Sequence, residues 1–497
     1  MSSSYRLAMS LLNLFVRLFF RQVEVEGVEN VPESRGGLLV AWHPNGLIDS
    51  GLVLAKLPGR VAFGARHGLL RWPILGWLMR SVGTVPIYRA SDVKGDAAVR
   101  RAANRKSLDA LAHKIANGSF SALFPEGVSH DAPHLMELKS GAARLYYRAR
   151  QLQEPQDQPP VIIPVGLYYD HKRAFRSIAL VRFAPPLELP AELDVRPGPD
   201  EPDELTRARA RSLTGEIERA LENVVHPTES WELHHLIHRA RKLMRAERAC
   251  RVGADPGRPK LLEKQIGFSR IWAGYHDRRA SRPEEVEGIM ARVREYDADL
   301  RALRLEDHEL DRNPRLASPW LALIIVAQIV TVYVLLPPFL IVGYVVNLPA
   351  ALACLGVAKA MSRAKKDEAS LKLLAGAVFF PLSWIAAGVL AALGHTRLHE
   401  SFPALPDSPV VAGVVTALLG VVGGAVAVHY GRLSRETLRA MRVRLRRRRR
   451  QDEVERLKSE RQGLYEWLNR LAEGLDLPGE IAHDGRVVRQ GPARENG

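Results

Sequence analysis

The chain has 497 residues and a formal net charge of +16, and 46% of its residues are hydrophobic. This composition excludes collagen-like, disulfide-rich and mostly disordered proteins, since only two cysteines are present. Ten arginines stand against one glutamate between Arg432 and Arg450, so more than half of the net charge lies in this one segment. The basic composition therefore predicts no nucleic-acid partner.

The first 22 residues predict an interfacial amphipathic helix. Ser10, Asn13, Arg17 and Arg21 recur at spacings of three and four in a run that is otherwise rich in Leu and Phe. Such a helix lies in the membrane interface with its arginines among the lipid headgroups. The alternative is a helix that packs on the domain core. Because Arg17 interrupts the apolar run and no small-residue cleavage site follows, the segment is not typical of a signal peptide.

Residues 23–230 have the pattern of a mixed α/β domain. Short apolar runs bounded by turn residues predict buried strands, and longer helix-forming runs lie between them. The predicted strands are 37–42, 121–124, 160–164 and 179–183, and the predicted helices are 99–116 and 142–152. This alternation predicts an α/β fold with a mixed sheet flanked by helices. Residues 231–317 are polar and helix-forming, and we expect a helical connecting region there.

Residues 318–358 carry no charged side chain, and this run is too long for a single membrane span of about 20 residues. The pair Pro337–Pro338 is expected to divide it into two spans, and two further uncharged runs follow. The four predicted spans are 318–336, 339–358, 373–393 and 410–428. The sequence therefore predicts about four transmembrane helices over 318–430. Gly420 and Gly424 predict a close approach between two of them.

The distribution of basic residues predicts the orientation of these spans. The loop from Lys359 to Lys372 holds five basic residues, whereas the loop from His395 to Ser408 holds one. With four spans, the positive-inside rule places the basic loop, the basic tail 431–497 and the N-terminal domain on the cytoplasmic side of the inner membrane. The arginine-rich tail is expected to contact anionic lipid headgroups. Its alternatives are a topology anchor or a solvated arm.

A candidate catalytic pair follows the first predicted strand. His43 begins the sequence His-Pro-Asn-Gly-Leu-Ile-Asp, which ends at Asp49. An aspartate that holds one nitrogen of an imidazole fixes its tautomer and stabilises the imidazolium, while the other nitrogen takes a proton from a hydroxyl. Ligands of α/β sheets bind at the carboxyl ends of strands. Alone, the motif is short enough to arise by chance, and it gains weight from the blocks that follow.

Three further blocks accompany predicted strands. Gly83-Thr-Val-Pro-Ile-Tyr-Arg89 delivers an arginine, whose planar guanidinium suits a phosphate group. Phe124-Pro-Glu-Gly127 continues as Val-Ser-His-Asp and is followed by Lys139 and Gly141. The last block is Val161-Ile-Ile-Pro164, which leads into Gly-Leu-Tyr-Tyr.

These four blocks, in this order, resemble the glycerolipid acyltransferase superfamily. Its members move a fatty acyl group from a thioester to glycerol 3-phosphate or to a lysophospholipid. The long form Phe-Pro-Glu-Gly-x-Ser-His-Asp with Leu138-Lys139-Ser-Gly141 is most similar to the fungal-type glycerol-3-phosphate/dihydroxyacetone-phosphate acyltransferases. Five residues lie between His43 and Asp49, whereas the usual motif of the superfamily has four. The fungal-type subgroup shares the longer spacing of five. The resemblance covers about residues 20–190 and, more weakly, the C-terminal spans.

The resemblance implies a role for each matching residue. His43 would be the general base and Asp49 its orienting group. Arg89 would hold the phosphate of the acceptor. Four more residues are implied in substrate binding, and they are Glu126, Gly127, Lys139 and Pro164. Three of the matching residues have an alternative interpretation. Arg89 could form an ordinary surface ion pair, Glu126 could bond loop amides, and Lys139 could be solvated.

The activity that the resemblance implies is a bacterial-type, membrane-bound O-acyltransferase of phospholipid biosynthesis that acylates glycerol 3-phosphate. The acyl donor would be a thioester, acyl-CoA or acyl-ACP, used as a cosubstrate, with no cofactor and with membrane lipids as surroundings. Acylation of lysophosphatidate and a catalytically silent lipid-binding scaffold are the alternatives. The scaffold would be expected to lack His43 or Asp49, and both are present.

Two clusters contain residue types that bind metal ions. One consists of Ser129, His130, Asp131 and His134, but the family resemblance accounts for three of these residues. The other consists of His234, His235 and His238, of which His234 and His238 are four residues apart, but it has no His-Glu-x-x-His pattern and no clear third ligand. No metal site is therefore predicted.

Overall fold

The computed structural model describes residues 3–59, 61–88, 97–154, 156–172, 174–198, 201–255, 257–311, 323, 326–327, 329–361 and 368–489. The chain forms two compact units. The first unit comprises residues 1–234, 260–262 and 364–370. The second unit comprises residues 235–259, 263–363 and 371–497.

The first unit contains a seven-stranded sheet and the helices that cover it. The strands are β1 (Phe20–Glu26), β2 (Gly37–Ala41), β3 (Val61–Arg66), β4 (Val85–Ile87), β5 (Phe120–Leu123), β6 (Val161–Tyr169) and β7 (Ser177–Phe183). The helices are α1 (Ser3–Phe19), α2 (Leu47–Lys56), α3 (Pro73–Ser81), α4 (Ala97–Ala116), α5 (Gly141–Leu152) and α6 (Asp203–Val225). Every strand and helix predicted in this region is present within a few residues of its expected bounds.

The order of the sheet is β1-β7-β6-β2-β5-β3-β4. All neighbouring strands are parallel except β6 and β7, so the predicted mixed sheet is confirmed. β2 lies at the centre, and all five of its residues are buried because helices cover both faces of the sheet. The parallel strands β6, β2 and β5 therefore bring their carboxyl ends to one edge.

The core of the first unit lies between this sheet and three helices. Buried side chains of β2 and β6 pack with those of α4, α5 and α6. On α6 the buried residues recur every three or four positions, which gives the helix one apolar face. They are Ala210, Leu213, Ile217, Leu221, Val224 and Val225. This packing fixes the sheet edge that carries the candidate site.

Helix α1 ends earlier than expected. Arg21 lies in β1, so it does not extend the polar stripe of the helix as predicted. Ala8, Val16 and Phe19 are buried, whereas Leu7, Leu14 and Leu18 each expose about half of their surface. The helix therefore packs one face on the first unit and leaves a row of leucines exposed.

The second unit is helical. Its helices are α7 (Trp231–Arg251), α8 (Leu261–Ser281), α9 (Pro283–Leu303), α10 (Leu336–Met361), α11 (Glu368–Ser401), α12 (Pro409–Arg449) and α13 (Gln451–Ala472). A short ribbon of β8 (Glu480–Ile481) and β9 (Val487–Val488) follows. The first few residues of α7, α8 and α11 belong to the first unit.

Within the described residues, three helices are long and apolar enough to cross a membrane. These segments are Gly343–Ala360, Leu374–Ser401 and Pro409–Arg439, and they match three of the four predicted spans. The fourth, 318–336, lies mostly outside the described residues. The predicted turn at Pro337–Pro338 is wrong. Helix α10 begins at Leu336 directly after a π-helical turn, so both prolines lie in its first turn, where backbone N–H groups need no intrahelical partner.

Glycines allow close approach between α10, α11 and α12, the three helices that are long and apolar enough to cross a membrane. A Cβ at Gly420 would lie 2.7 Å from a methyl group of Val346, and one at Gly423 would lie 2.6 Å from Cα of Gly343. Asn347 donates to the carbonyl of Gly420 at 2.7 Å and accepts from the indole of Trp384 at 2.9 Å. The predicted close approach at Gly420 is therefore present, with Asn347 linking three helices.

Residues 431–472 are helical and contribute to a core, which corrects the interpretation of this part of the chain as a tail. Helix α12 continues to Arg449, and α13 follows after one residue. Val443, Val454, Leu457 and Leu464 are buried in a core that also contains side chains of α7 and α9. The sequence analysis did not predict helix α13, because its apolar residues are few among many charged ones. The side chains of residues 444–448 lie outside the described part of the chain, and their contact with lipid stays a prediction.

Candidate active site

Three loops meet at the carboxyl edge of the sheet. β2 leads into His43, β5 leads into Phe124, and β6 ends at Tyr169. Since β6, β2 and β5 are neighbours, these residues lie side by side. The His43 ring stacks on the Phe124 ring with centroids 3.9 Å apart and planes 11° apart. The aromatic face fixes the plane of the imidazole.

His43 and Asp49 form a direct pair. Nδ1 of His43 lies 2.8 Å from Oδ2 of Asp49, and the Asp49 side chain is fully buried while the His43 side chain is 14% exposed. Because Asp49 accepts a hydrogen bond from Nδ1–H, the lone pair of a neutral His43 lies on Nε2. Within the described part of the chain, Nε2 has no hydrogen-bond partner. This arrangement suits a base that takes a proton from a bound hydroxyl.

Both oxygens of Asp49 are used. Oδ2 also accepts the backbone N–H of Asn45 at 2.7 Å, and Oδ1 accepts the hydroxyl of Tyr169. Burial, followed by the charge of Asp49, raises the pKa of Tyr169 well above its ordinary value. The phenol therefore keeps its proton and remains a donor. Asp49 lies in the first turn of α2, where a carboxylate is favoured by the helix dipole.

The turn between His43 and Asp49 depends on a glycine. Gly46 precedes α2 with φ 57° and ψ −130°, a conformation that L side chains rarely adopt. This turn lets the longer spacing of five intervening residues bring the carboxylate back to the imidazole. Asn45 is buried, and its side chain donates to the carbonyl of Lys172 at 2.9 Å. The loop after β6 therefore supports the loop after β2.

Glu126 is buried beneath the loops, with no exposed side-chain surface. Its Oε2 accepts the backbone N–H of His43 at 3.0 Å. Its Oε1 accepts from His130 Nε2 at 2.6 Å and from the N–H of Met136 at 3.0 Å. Since Nδ1 of His130 accepts from Ala132 N–H at 3.2 Å, His130 donates through Nε2. The geometry favours the alternative role, in which Glu126 positions His43 and the loop.

Gly127 and Lys139 lie together next to Glu126. Gly127 has φ +69°, and a Cβ at this position would lie 2.9 Å from Nζ of Lys139. The Lys139 backbone N–H donates to the carbonyl of Pro125 at 2.9 Å, and its side chain is exposed. The lysine is therefore anchored by its backbone at the loop after β5 and leaves its charge free to move at the surface.

The two remaining predicted residues differ in placement. Arg89 lies outside the described residues. β4, which precedes it, runs parallel to β3 and ends at Ile87 on the same edge as the carboxyl end of β2. Pro164 is buried inside β6, opposite Val40 of β2. The β6–β7 ladder ends at Val165, so the missing N–H of Pro164 falls just beyond it. This placement supports a packing role for Pro164.

Sequence reasoning missed four residues that build the site. They are Asn45, Phe124, Tyr169 and Lys172. Lys172 forms an ion pair with Asp131, which ties the loop after β6 to the loop after β5. The signal for Tyr169 is its position at the carboxyl end of a buried strand, in the last of the four blocks. Among the described residues, no group of three His, Cys, Asp or Glu side chains could hold a metal ion.

The fold and the site define a class of protein. It is an α/β domain with a His–Asp pair and converging loops at the carboxyl edge of its sheet. Residues 22–168 match the acyltransferase family, and this segment is an acyltransferase domain. The match contains every strand from β2 to β5 and nearly all of β1 and β6, and it includes both members of the His43–Asp49 pair.

Relatives extend beyond this domain. Glycerol-3-phosphate O-acyltransferase 1 of Saccharomyces cerevisiae is 25% identical over 285 residues, which are 56% of this chain and 36% of the relative. An uncharacterized acyltransferase of Schizosaccharomyces pombe is 24% identical in an alignment that covers 38% of this chain and 39% of the relative. The chain thus spans less than two fifths of either protein.

Solved structures also match this chain, and one of them is given as an example of what the chain is similar to. It is the 1-acyl-sn-glycerophosphate acyltransferase PlsC from Thermotoga maritima, which is 17% identical. The match covers 44% of this chain and 82% of that chain, with a TM-score of 0.29.

Proposed function

We propose that this protein is a membrane-bound acyltransferase that transfers a fatty acyl group from a thioester to the hydroxyl of glycerol 3-phosphate. The observation that carries the proposal is the contact between His43 Nδ1 and the buried Asp49, which leaves Nε2 as a base. The acceptor is suggested by the yeast relative, whose name states that it acylates glycerol 3-phosphate.

In the proposed reaction, His43 carries one proton from the acceptor hydroxyl to the leaving thiolate. Nε2 of His43 takes the proton of the acceptor hydroxyl as its oxygen attacks the thioester carbonyl carbon. The C–S bond then breaks, and the thiolate takes the proton from the imidazolium. Asp49 stabilises the imidazolium while it exists, and Tyr169 and Asn45 hold Asp49 in place. No covalent acyl-enzyme is required.

The acceptor phosphate needs a cation beside this pair. Arg89 is proposed for this role because it follows β4, whose carboxyl end lies at the same edge of the sheet as the site. Lys139 can add a second positive charge, since its exposed side chain lies beside Gly127. Acyl-CoA or acyl-ACP would supply the thioester.

We further propose an inner-membrane location with the acyltransferase domain on the cytoplasmic side. Helices α1 and α3 contact each other, and both expose large apolar side chains, Leu14 and Trp77 among them. Such surfaces suit the membrane interface. In the second unit, side chains of α7 and α9 share a core with those of α13. Because these helices pack into one core and that core lies on one side of a bilayer, an even number of crossings must separate α9 from α13.

The test is an acyl-transfer assay on membranes that contain the full chain. Labelled acyl-CoA and acyl-ACP are offered with glycerol 3-phosphate, dihydroxyacetone phosphate or lysophosphatidate. We expect acylation of glycerol 3-phosphate and a loss of at least about 100-fold in kcat for His43→Ala, since general base catalysis contributes about 10² to 10⁴.

The matched control is His113→Ala, which removes an exposed histidine from α4 of the same unit. It should leave kcat unchanged. Retained activity in His43→Ala would remove His43 from its role, and a clear preference for lysophosphatidate would replace the proposed acceptor by its alternative.

A further inference from the structure

A cavity of about 90 Å³ lies within the second unit, between α7, α8, α9 and α13. Most of its wall is apolar and includes Ile237, Val293 and Leu468. Three arginines also line it, and they are Arg241, Arg248 and Arg270. All of its lining residues belong to the second unit, so the cavity is separate from the His43 site.

Arg248 is the unusual member of this group. Its exposed fraction is 8%, and its Nε has no hydrogen-bond partner. Within the described residues, its guanidinium forms no hydrogen bond or ion pair. Burial lowers the pKa of Arg248 to about 10, and the charge of Arg270 acts in the same direction. The group therefore stays protonated at neutral pH, although an isolated buried charge is costly.

The surrounding protein does not neutralise this charge. Glu263 is the one carboxylate among the main influences on the pKa of Arg248, and Nε of Arg245 binds it at 2.6 Å. Arg270 donates to the backbone carbonyls of Leu477, Pro478 and Gly479 at distances from 2.7 to 3.3 Å. Carbonyls accept hydrogen bonds but carry no net charge. Arg248 and Arg270 thus place two positive charges at the cavity wall, and neither forms an ion pair with a described residue.

A glycine makes room for this arrangement. A Cβ at Gly267 of α8 would lie 2.9 Å from Cγ of Arg241, so the lack of a side chain lets the Arg241 stem pack against α8. Arg241 is 5% exposed, so its long stem is held inside the unit. The helix pair α7–α8 is therefore built to bring guanidinium groups to the cavity wall.

We propose that this cavity binds a phosphate group, carried either by free phosphate or by the headgroup of a lipid. Guanidinium groups bind phosphate through two oxygens at once, and a dianion matches the excess positive charge. One water needs about 10–15 Å³ of such cavity volume, so a cavity of about 90 Å³ has room for a group the size of a phosphate. The apolar wall accommodates the carbon atoms next to the phosphate in a lipid.

The test measures ligand-dependent unfolding of the full chain in phosphate-free detergent solution at constant ionic strength. The ligands are inorganic phosphate, a short-chain lysophosphatidate and the matching neutral monoacylglycerol. Wild type is compared with Arg248→Met, which removes the charge and keeps the volume. The control is Arg292→Met, which removes an exposed arginine of α9 in the same unit.

We expect a phosphate-bearing ligand to raise the Tm of wild type and of the control. In Arg248→Met its apparent Kd should rise at least about tenfold. Without ligand, Arg248→Met should unfold at the wild-type temperature or above it, because an unpaired buried charge is removed. Stabilisation by inorganic phosphate assigns the site to free phosphate, and stabilisation by lysophosphatidate alone assigns it to a lipid headgroup.

Three results would overturn the proposal. They are no stabilisation by either phosphate compound, equal Kd values in wild type and Arg248→Met, and equal stabilisation by the neutral monoacylglycerol. If Arg248→Met does not fold, Arg248→Lys keeps the charge and loses the planar fork, and an unchanged Kd in that variant also overturns the proposal. Since the readout is binding at residues of the second unit, its failure leaves the proposed acyl transfer intact.

Discussion

The candidate active site of the first unit and the cavity of the second unit differ in whether their buried charged side chains have hydrogen-bond partners. At the sheet edge of the first unit, Asp49 and Glu126 are both buried, and every carboxylate oxygen accepts at least one hydrogen bond. In the cavity of the second unit, Arg248 is more than nine-tenths buried and has no partner within the described residues. The first arrangement holds the proposed base in place, whereas the second leaves a charge for the proposed phosphate ligand.

The second unit is nonetheless able to pair a buried arginine. Arg461 is 1% exposed, donates to both oxygens of Asp311 at 2.8 Å and reaches Glu247 at 2.9 Å. Although burial alone lowers the pKa of Arg461, its hydrogen bonds and these charges raise it above the ordinary value. The unpaired state of Arg248 is therefore a local feature. An unpaired buried charge indicates a binding site more clearly than a paired one.

The comparison of the two arginines predicts opposite effects of the same substitution. Arg461→Met removes the cation that Asp311 and the buried Glu247 share and leaves Glu247 with Arg251 alone. We expect the free energy of unfolding to fall by about 3 kcal/mol. Arg248→Met should cost nothing in the absence of ligand. Denaturant unfolding of the full chain in detergent measures both. Similar losses in the two variants would mean that Arg248 is a structural residue.

The second prediction separates the charge of Asp49 from its geometry. In Asp49→Asn the amide oxygen can still accept from His43 and Asn45, and the amide NH₂ can donate to the Tyr169 hydroxyl. The fold and the tautomer of His43 should survive, but the imidazolium loses its counter-charge. We expect kcat to fall about 100-fold, with little change in KM or Tm.

Tyr169→Phe is the companion variant, because it removes one donor and keeps the stacking on Phe20. It should lower kcat by less than Asp49→Asn does. If Asp49→Asn keeps full activity, Asp49 serves the fold alone.

Much of the first unit could be predicted because its central strands are buried on both faces. Residues 37–41 and 161–167 are almost wholly apolar, and short apolar runs between helices are a strong strand signal. β1 was not predicted, because it has the alternating polar sequence Phe-Arg-Gln-Val-Glu-Val-Glu and becomes a strand by pairing with β7. That partner lies about 150 residues further along the chain.

The candidate site was predictable only where its residues are close in sequence. His43 and Asp49 are six positions apart, so a motif can show the pair. Tyr169 reaches Asp49 across 120 positions through the register of β6 on β2. Glu126 was found, but its role needs the backbone geometry of three loops. The unpaired state of Arg248 has no sequence signal, since nearby carboxylates occur on α7 and α8.

The smallest predicted effect concerns His226, a buried histidine that can become neutral by losing a proton. His226 ends α6 and is 8% exposed, and burial together with the charge of Arg182 lowers its pKa to about 4. At neutral pH the imidazole of His226 is therefore neutral, whereas the guanidinium of Arg248 keeps its proton and its positive charge. His226 therefore tests whether the first unit avoids a buried positive charge by losing a proton.

The sign of the pH effect follows from proton binding. Between pH 6.5 and 4 the unfolded chain binds a proton at His226 and the folded chain does not, so stability falls as pH falls through this window. From pH 7 to 5.5 the loss at this residue should be about 1 kcal/mol. His226→Asn tolerates the positive φ of 54° and cannot titrate, so its stability should depend less on pH. An equal pH dependence in the two proteins would mean that His226 is charged when folded, and the first unit would then hold a buried cation of its own.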